Sequence, residues 1–284
     1  MTAALSFVET TLNYVGPIEG RARFDLQNPA RTNLAFEPHR VRIHDAQPIR
    51  GQLSLDREAF ILAEHRSSVA GSEEIRSLNM RRQIAGNAIN DAYHAEVGEL
   101  IRKLTGAREV LPQPSGLIVR TTDRAKKKSW ATQASFIHLD FTTLTAEMFL
   151  KLAAAETGRT IAPHRRYAVY QTWRAISRPP QDNTLTVCDG GSVPASDAVV
   201  MDSIVGPREV PGSVFESRLC RYREGHRWYY FSNMSSDDLL IFKGYDSNVP
   251  DAMNAMHTAF DNPAAGPDAV SRESIEARFF ALYD

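Results

Sequence analysis

Only two cysteines, Cys188 and Cys220, occur in 284 residues. They are too few and too far apart for a disulfide scaffold or a thiolate metal knuckle, so free thiols in a reducing compartment are expected. An excess of one charge is also lacking: 33 basic residues face 34 acidic ones, for a net charge of −1. Without a sustained field, little draws nucleic acid or an anionic membrane surface. No apolar run approaches the roughly eighteen residues of a membrane span, and the N-terminal stretch from Met1 to Gly16 has no basic segment followed by an apolar one. The expectation is a soluble, cytoplasmic protein with no nucleic-acid and no membrane partner. In that setting the glycosylation sequon Asn233-Met234-Ser235 carries little meaning. Internal repeats, low-complexity segments and a convincing linker are missing as well. Gly190-Gly191-Ser192 stands without the rest of a phosphate loop, and neither cysteine has a sequence neighbour that would activate it.

What is present suffices for one large core or two modest ones, since 43% of the residues are hydrophobic. Arg21 to Leu26 alternates, with Ala22, Phe24 and Leu26 on one face, and Val41 to His44 is a second extended piece. Asp56 to Ala63 reads as a helix start. The longest helix is expected from Glu73 to about Leu104, interrupted near Gly86 and Gly98, with Ala85, Ile89, Tyr93, Val97 and Ile101 as its apolar stripe. His94 beside that stripe reads as structural. Leu111 to Pro114 closes the helical region, and a strand from Gly116 to Thr121 leads into the basic loop Asp123 to Ser129. That loop is either a solvated surface or an electropositive lip over a site. Thr145 to Glu156 reads as a further helix. After Pro163 short strands dominate: Tyr167 to Arg174, Asn183 to Asp189, Arg218 to Arg223, His226 to Phe231, Leu239 to Lys243, Met256 to Phe260 and Ser274 to Tyr283. Many short strands separated by Pro, Gly and Asn turns fit a barrel or a double-sheet sandwich.

Chemistry concentrates in Ser135 to Phe141, an apolar run interrupted by His138 and Asp140. On an extended strand these two share a parity with Phe136 and project from one face, so both can point at one ion. An imidazole with a carboxylate suits Fe(II), Zn(II) or Mn(II), and two histidines with one carboxylate leave three positions open on an octahedral iron. The third ligand lies among His164, His226 and His257 downstream. His164 has the surroundings of a turn and His226 those of an edge, while His257 sits inside Ala255 to Phe260 with a final strand still to come. An open iron site that binds a dicarboxylic oxoacid also needs a cation for the far carboxylate, and a bidentate arginine suits that planar group. Arg272 is the first choice and Arg278 the second. They share parity with Glu276, whose carboxylate is able to pair with either.

Several pieces together resemble the fungal Fe(II)/2-oxoglutarate-dependent hydroxylase/desaturase family, which includes the meroterpenoid endoperoxide synthase and relatives of the small cephalosporin methoxylase component. They are His138-Leu139-Asp140, Thr172-Trp173-Arg174, Val187-Cys188-Asp189, His226 to Phe231, Phe242 to Ser247, His257 to Asp261 and Arg272 to Arg278. The resemblance runs from about Phe24 to the end. It implies a mainly β fold with flanking helices around a double-stranded β-helix (jelly-roll, cupin-like) core. It also implies a single oxygenase domain over 1–284, with a mixed N-terminal extension and helical support over about 1–110 and the main core over about 111–284. By the same resemblance His138, Asp140 and His257 hold Fe(II), and Arg272 holds 2-oxoglutarate. Where relatives have Asn before the Trp-Arg segment, this chain has Gln171, a departure at a cosubstrate contact.

The chemistry so implied is oxidative decarboxylation of 2-oxoglutarate with O2, ascorbate serving as an auxiliary reductant. Hydrogen abstraction from a small apolar organic substrate follows. A fungal terpenoid, meroterpenoid or polyketide is then hydroxylated, desaturated or converted to an endoperoxide. Trp130, Phe136, Trp173, Trp228, Tyr229 and Tyr230 are available to line an apolar pocket, and Trp173 and Trp228 are chosen. Two rivals differ in kind. A cupin-like metal enzyme without a cosubstrate would keep the triad but not need Arg272, and a non-catalytic partner subunit of a biosynthetic oxygenase would keep only fold and partner affinity. A homodimer is expected on general grounds alone.

Overall fold

The computed structural model describes residues 4–77, 87–114, 116–123, 125, 134–161 and 164–284, to which the structural statements below refer. The first elements are strands β1 (Phe7–Val15), β2 (Ala22–Asp25), β3 (Phe36–Asp45) and β4 (Phe60–Glu64). Helices α1 (Glu73–Ser77) and α2 (Ala88–Thr105) precede β5 (Glu109–Pro112), β6 (Ile118–Thr121), β7 (His138–Leu139) and helix α3 (Thr143–Glu156). From there the chain is extended: β8 (Arg166–Ala175), β9 (Asn183–Cys188), β10 (Ala198–Ile204), β11 (Val214–Cys220), β12 (Trp228–Tyr230), β13 (Asp238–Asp246), β14 (His257–Asp261) and β15 (Glu273–Tyr283).

These strands form two sheets. One runs β1-β3-β12-β9-β14-β7-β11-β10-β2, and the other β4-β13-β8-β15-β5 with β6 also paired to β15. The curled, mostly antiparallel pair is the expected jelly-roll core. Strands β1 to β4 join edges of both sheets, so no seam between sheets falls near residue 110. Strand β1 was not anticipated from sequence, nor were β5 and β10.

Helix α2 covers the outer face of the smaller sheet. Asn87 caps it by accepting from the Ile89 and Asn90 amides, and Gly106 ends it in the left-handed region at φ 69°. Tyr93, Val97 and Ile101 are fully buried against Ile275, Ala277 and Phe279 of β15, as the stripe predicts. Each aliphatic side chain so buried contributes roughly 1.5–3 kcal/mol. The helix does not break at Gly98, which faces Phe279 of the sheet: a Cβ there would lie in ordinary contact, 3.7 Å from the ring. Gly86 and Ala85 lie outside the described residues. Arg174 locks the helix to the sheet from a fully buried position, donating from Nε to the Tyr93 hydroxyl at 3.1 Å and from Nη1 to the His65 carbonyl at 2.8 Å. His94 is buried, and its Nδ1 accepts from Asn90 at 3.2 Å, a structural role.

Two expected elements differ. The helix start at Asp56 is instead a turn followed by β4, because Ala59 takes φ 70° and Phe60 and Leu62 alternate into the core beside β13. The strand expected over Ser135 to Phe141 contracts to His138–Leu139. Its approach is held by β1 and not by a ladder: the Ile137 amide donates to the Asn13 carbonyl at 3.1 Å, and the Asn13 side chain donates to the Ser135 carbonyl at 2.8 Å.

Candidate active site

Facing positions of the two sheets converge on one spot. On the larger sheet His138 of β7 and His257 of β14 are direct cross-strand partners, with ring centroids 4.4 Å apart. Asp140 lies just past the end of β7, and its Oδ1 stands 3.7 Å from His138 Nε2. Ligand atoms of His138, Asp140 and His257 all lie within 4.8 Å of one another, the single such group of histidine, cysteine or acidic residues found among the described residues. On the facing sheet Gln171 of β8 pairs with Arg278 of β15, and Trp173 pairs with Glu276, so all four side chains point toward the triad.

Hydrogen bonds settle which atoms of the triad are free. His138 Nδ1 lies 3.0 Å from the Phe136 carbonyl and His257 Nδ1 3.3 Å from the Ala255 carbonyl. A carbonyl only accepts, so each Nδ1 carries the proton and each Nε2 keeps a lone pair. Asp140 Oδ2 accepts from Gln171 Nε2 at 2.6 Å and from Arg278 Nε and Nη2 at 3.1 and 2.7 Å. Oδ1 is left over. The set therefore offers two neutral imidazole nitrogens and one carboxylate oxygen, which fits a first-row divalent metal.

The charges agree with this reading. Burial would raise the Asp140 carboxyl, but the Arg278 guanidinium beside it holds it well below the usual carboxylate range. Burial pushes His257 down to about 3, so it is neutral and ready to ligate. Glu276 accepts a hydrogen bond from Arg120 Nε at 2.6 Å, and its charge acts on Arg272 and Arg278 only through space. Arg120 and Glu276 thus balance one another, as do Arg278 and Asp140.

Arg272 is different. It is 1% exposed, and neither its Nε nor its Nη2 has a hydrogen-bond partner. Burial depresses its guanidinium to about 10. Its backbone is fixed, the amide donating to Thr122 Oγ1 at 2.8 Å and Asp182 Oδ1 at 3.0 Å. The side chain lines a pocket of about 80 Å³ with His138, Asp140, His257 and Trp173. An unpaired buried cation on the wall of a pocket that ends at a metal-competent triad suits an anionic ligand.

A second cavity, of about 740 Å³, shares His138, Asp140, Arg120 and Arg278 with the first as lining residues. Phe24, Phe136, Phe141, Phe149 and Phe215 supply much of its apolar wall.

Residues 12–282 match the model of a family described as "Oxidoreductase/YMDC permease-like domain". The chain belongs to that family. Despite the last words of the description, no helix among the described residues is long and apolar enough to cross a membrane. The Fe(II)/2-oxoglutarate-dependent dioxygenase nvfI of Aspergillus novofumigatus is 28% identical, over 87% of this chain and 84% of the relative. The hydroxylase/desaturase efuI of Hormonema carpetanum is 28% identical, over 100% of this chain and 98% of the relative. The solved iron and alpha-ketoglutarate-dependent endoperoxidase NvfI superposes with a TM-score of 0.79 at 27% identity, covering 98% of each chain. The resemblance to fungal Fe(II)/2-oxoglutarate-dependent hydroxylase/desaturases, and with it the jelly-roll fold, is borne out.

The other sequence-chosen residues fall out unevenly. Trp173 is buried beside Arg272, whose guanidinium carbon is 6.0 Å from its ring centroid, and so lies at the smaller pocket instead of the larger apolar one. Trp228 lies at neither pocket. It is buried in the core beside Cys188 and Cys220, and its indole N–H donates to the Tyr14 hydroxyl at 2.7 Å. An indole N–H must find an acceptor when buried, and Tyr14 provides one away from the site. His226 is likewise occupied, between Tyr14 and Asp197. Gln171 spends its amide on Asp140. Trp130 and the basic residues Lys126 to Lys128 lie outside the described residues. The phenylalanine wall went largely unseen, because its members are scattered along the chain with no common spacing.

Proposed function

We propose that His138, Asp140 and His257 hold Fe(II), that Arg272 binds the distal carboxylate of 2-oxoglutarate, and that the cavity of about 740 Å³ takes a small apolar organic substrate, a terpenoid, meroterpenoid or polyketide. Family membership supports the class of chemistry. The observation that carries the assignment is Arg272, a buried guanidinium with two unmet donors on the wall of the pocket that ends at the triad. A cosubstrate-free enzyme has no use for it.

When bound, the iron with 2-oxoglutarate and O2 supplies the oxidising power to abstract hydrogen from an unactivated carbon, with succinate and CO2 as coproducts. The protein's own work is positional. His138 and His257 present Nε2 because their Nδ1 protons are tied to backbone carbonyls of their own strands. Gln171 and Arg278 restrain Asp140 through Oδ2 and so make it a one-oxygen ligand; both are positioning residues. The phenylalanine wall excludes water and presents one face of the substrate to the triad. Hydroxylation, desaturation and endoperoxide formation all begin from this arrangement. The buried free thiols Cys188 and Cys220 support a reducing, cytoplasmic setting, and strands from both ends of the chain in each sheet support a single domain over 1–284.

Iron-dependent conversion of 2-oxoglutarate to succinate tests the proposal. Wild type is expected to form succinate only with added Fe(II), and His257→Ala to form none. Undiminished succinate in His257→Ala would refute the ligand set.

A further inference from the structure

The larger cavity is not uniformly apolar. Gln113 is 6% exposed and lines it, yet its side-chain Oε1 has no hydrogen-bond partner. Its side-chain nitrogen makes no hydrogen bond to the described residues either, so the carboxamide is uncommitted among them. Buried polar groups are nearly always paired, and an unpaired one on the wall of a cavity marks where a ligand atom belongs.

Its placement relative to the triad is fixed by the backbone. Gln113 directly follows β5, between Pro112 and Pro114. Its amide donates to the carbonyl of Arg278 at 2.8 Å, the residue whose guanidinium restrains Asp140. The Gly116 amide donates back to the Gln113 carbonyl at 3.3 Å. A group held by this carboxamide is therefore held in register with the proposed iron ligands. On the same wall Ser203 and Ser217 hydrogen-bond to each other at 3.0 Å. Gln113 thus presents an uncommitted carboxamide to a phenylalanine-walled space.

We propose that Gln113 selects and orients the substrate by hydrogen-bonding one hydroxyl of an otherwise apolar, multi-ring molecule. A hydroxyl both donates and accepts, so it satisfies the carboxamide from either end, whereas a hydrocarbon leaves it unpaired. The enzyme would then act after a hydroxylating or ketone-reducing step has placed that group on the skeleton. This rests on the reading of the triad as the reacting centre for the position of the attacked carbon, but not for the recognition itself.

The test compares two probes of one shape, 5α-androstan-3β-ol and 5α-androstane, binding to wild type, Gln113→Leu and Gln113→Met by equilibrium dialysis. Metal-free protein and anaerobic protein loaded with Fe(II) and 2-oxoglutarate are both measured. Wild type is expected to prefer the alcohol by about tenfold, the worth of one hydrogen bond to a buried neutral group. Both variants should bind the two probes alike and keep the wild-type affinity for the hydrocarbon, which also reports that they are folded. Equal affinities in wild type, a preference that survives both substitutions, or no binding of either probe would overturn the proposal. Because the metal-free arm needs no iron, loss of the alcohol preference there is distinct from failure of the iron assignment, which leaves that preference intact and abolishes succinate formation.

Discussion

Replacing Arg272 by methionine separates cosubstrate binding from iron binding. The guanidinium is 1% exposed, and Nε and Nη2 have no acceptor. A bound carboxylate would supply two charge-assisted hydrogen bonds, each contributing roughly 1.5–3 kcal/mol. Desolvation of the incoming anion offsets part of that sum, leaving about 3 kcal/mol, or a loss of roughly 100-fold in 2-oxoglutarate affinity for the variant. Fe(II) affinity should change by less than about threefold, because the ligand set is untouched. The same logic predicts an uncommon stability effect. Removing a buried cation that has unmet donors should leave the Tm of the unliganded protein unchanged or higher. Wild type at 100 times its Kd for 2-oxoglutarate gains about 2.7 kcal/mol, seen as a rise of several degrees in Tm, which the variant should lack. Isothermal titration under argon and thermal melts with and without oxoacid read both effects. Parallel loss of iron and oxoacid affinity, or a Tm drop of more than about 5 °C in the unliganded variant, would show that Arg272 serves folding instead.

Two further predictions follow from other parts of the molecule. Gly244 sits at a register shift of β13, and a Cβ there would lie 2.5 Å from Gln171 Oε1 and 3.0 Å from the Phe141 ring. Gly244→Ala should therefore push Gln171 off Asp140 and weaken Fe(II) binding by about tenfold without altering a ligand, whereas unchanged iron affinity would mean that Gln171 does not restrain Asp140. Burial pushes His94 down to about 4 from 6.5, so between those values the unfolded chain binds a proton that the folded one refuses. Stability present above about pH 6.5 should fall as the pH drops, by about 2 kcal/mol from pH 7 to pH 5, and His94→Gln should lack that part of the loss; equal losses in denaturant melts would contradict it.

The sequence carried the chemistry of the site better than its walls. His138 and Asp140 were legible because two residues of equal parity emerge together, and the short β7 still delivers that geometry although most of the expected strand is loop. Pairing of His138 with His257 across β7 and β14 is a long-range register, which spacing alone does not contain. Arg272 and Arg278 were found together, but their roles part only in three dimensions: one has Asp140 within reach and the other has no acceptor for two of its nitrogens. Trp228 shows the limit of choosing residues by type, since a large aromatic satisfies a core as well as a pocket. The helix start at Asp56 failed because Phe60 and Leu62 repeat with period two, a pattern too short to outweigh the helix-forming residues before it. Gln113 had no signal of its own, being a polar residue between two prolines.

The most direct test of the iron assignment is an anaerobic titration of the purified protein with Fe(II) and then 2-oxoglutarate, followed in the visible spectrum. The weak charge-transfer absorption of a chelated oxoacid should appear in wild type, be absent in Asp140→Ala, and need far more 2-oxoglutarate in Arg272→Met. Iron binding without that absorption at saturating 2-oxoglutarate in wild type would contradict the assignment of the pocket between the triad and Arg272.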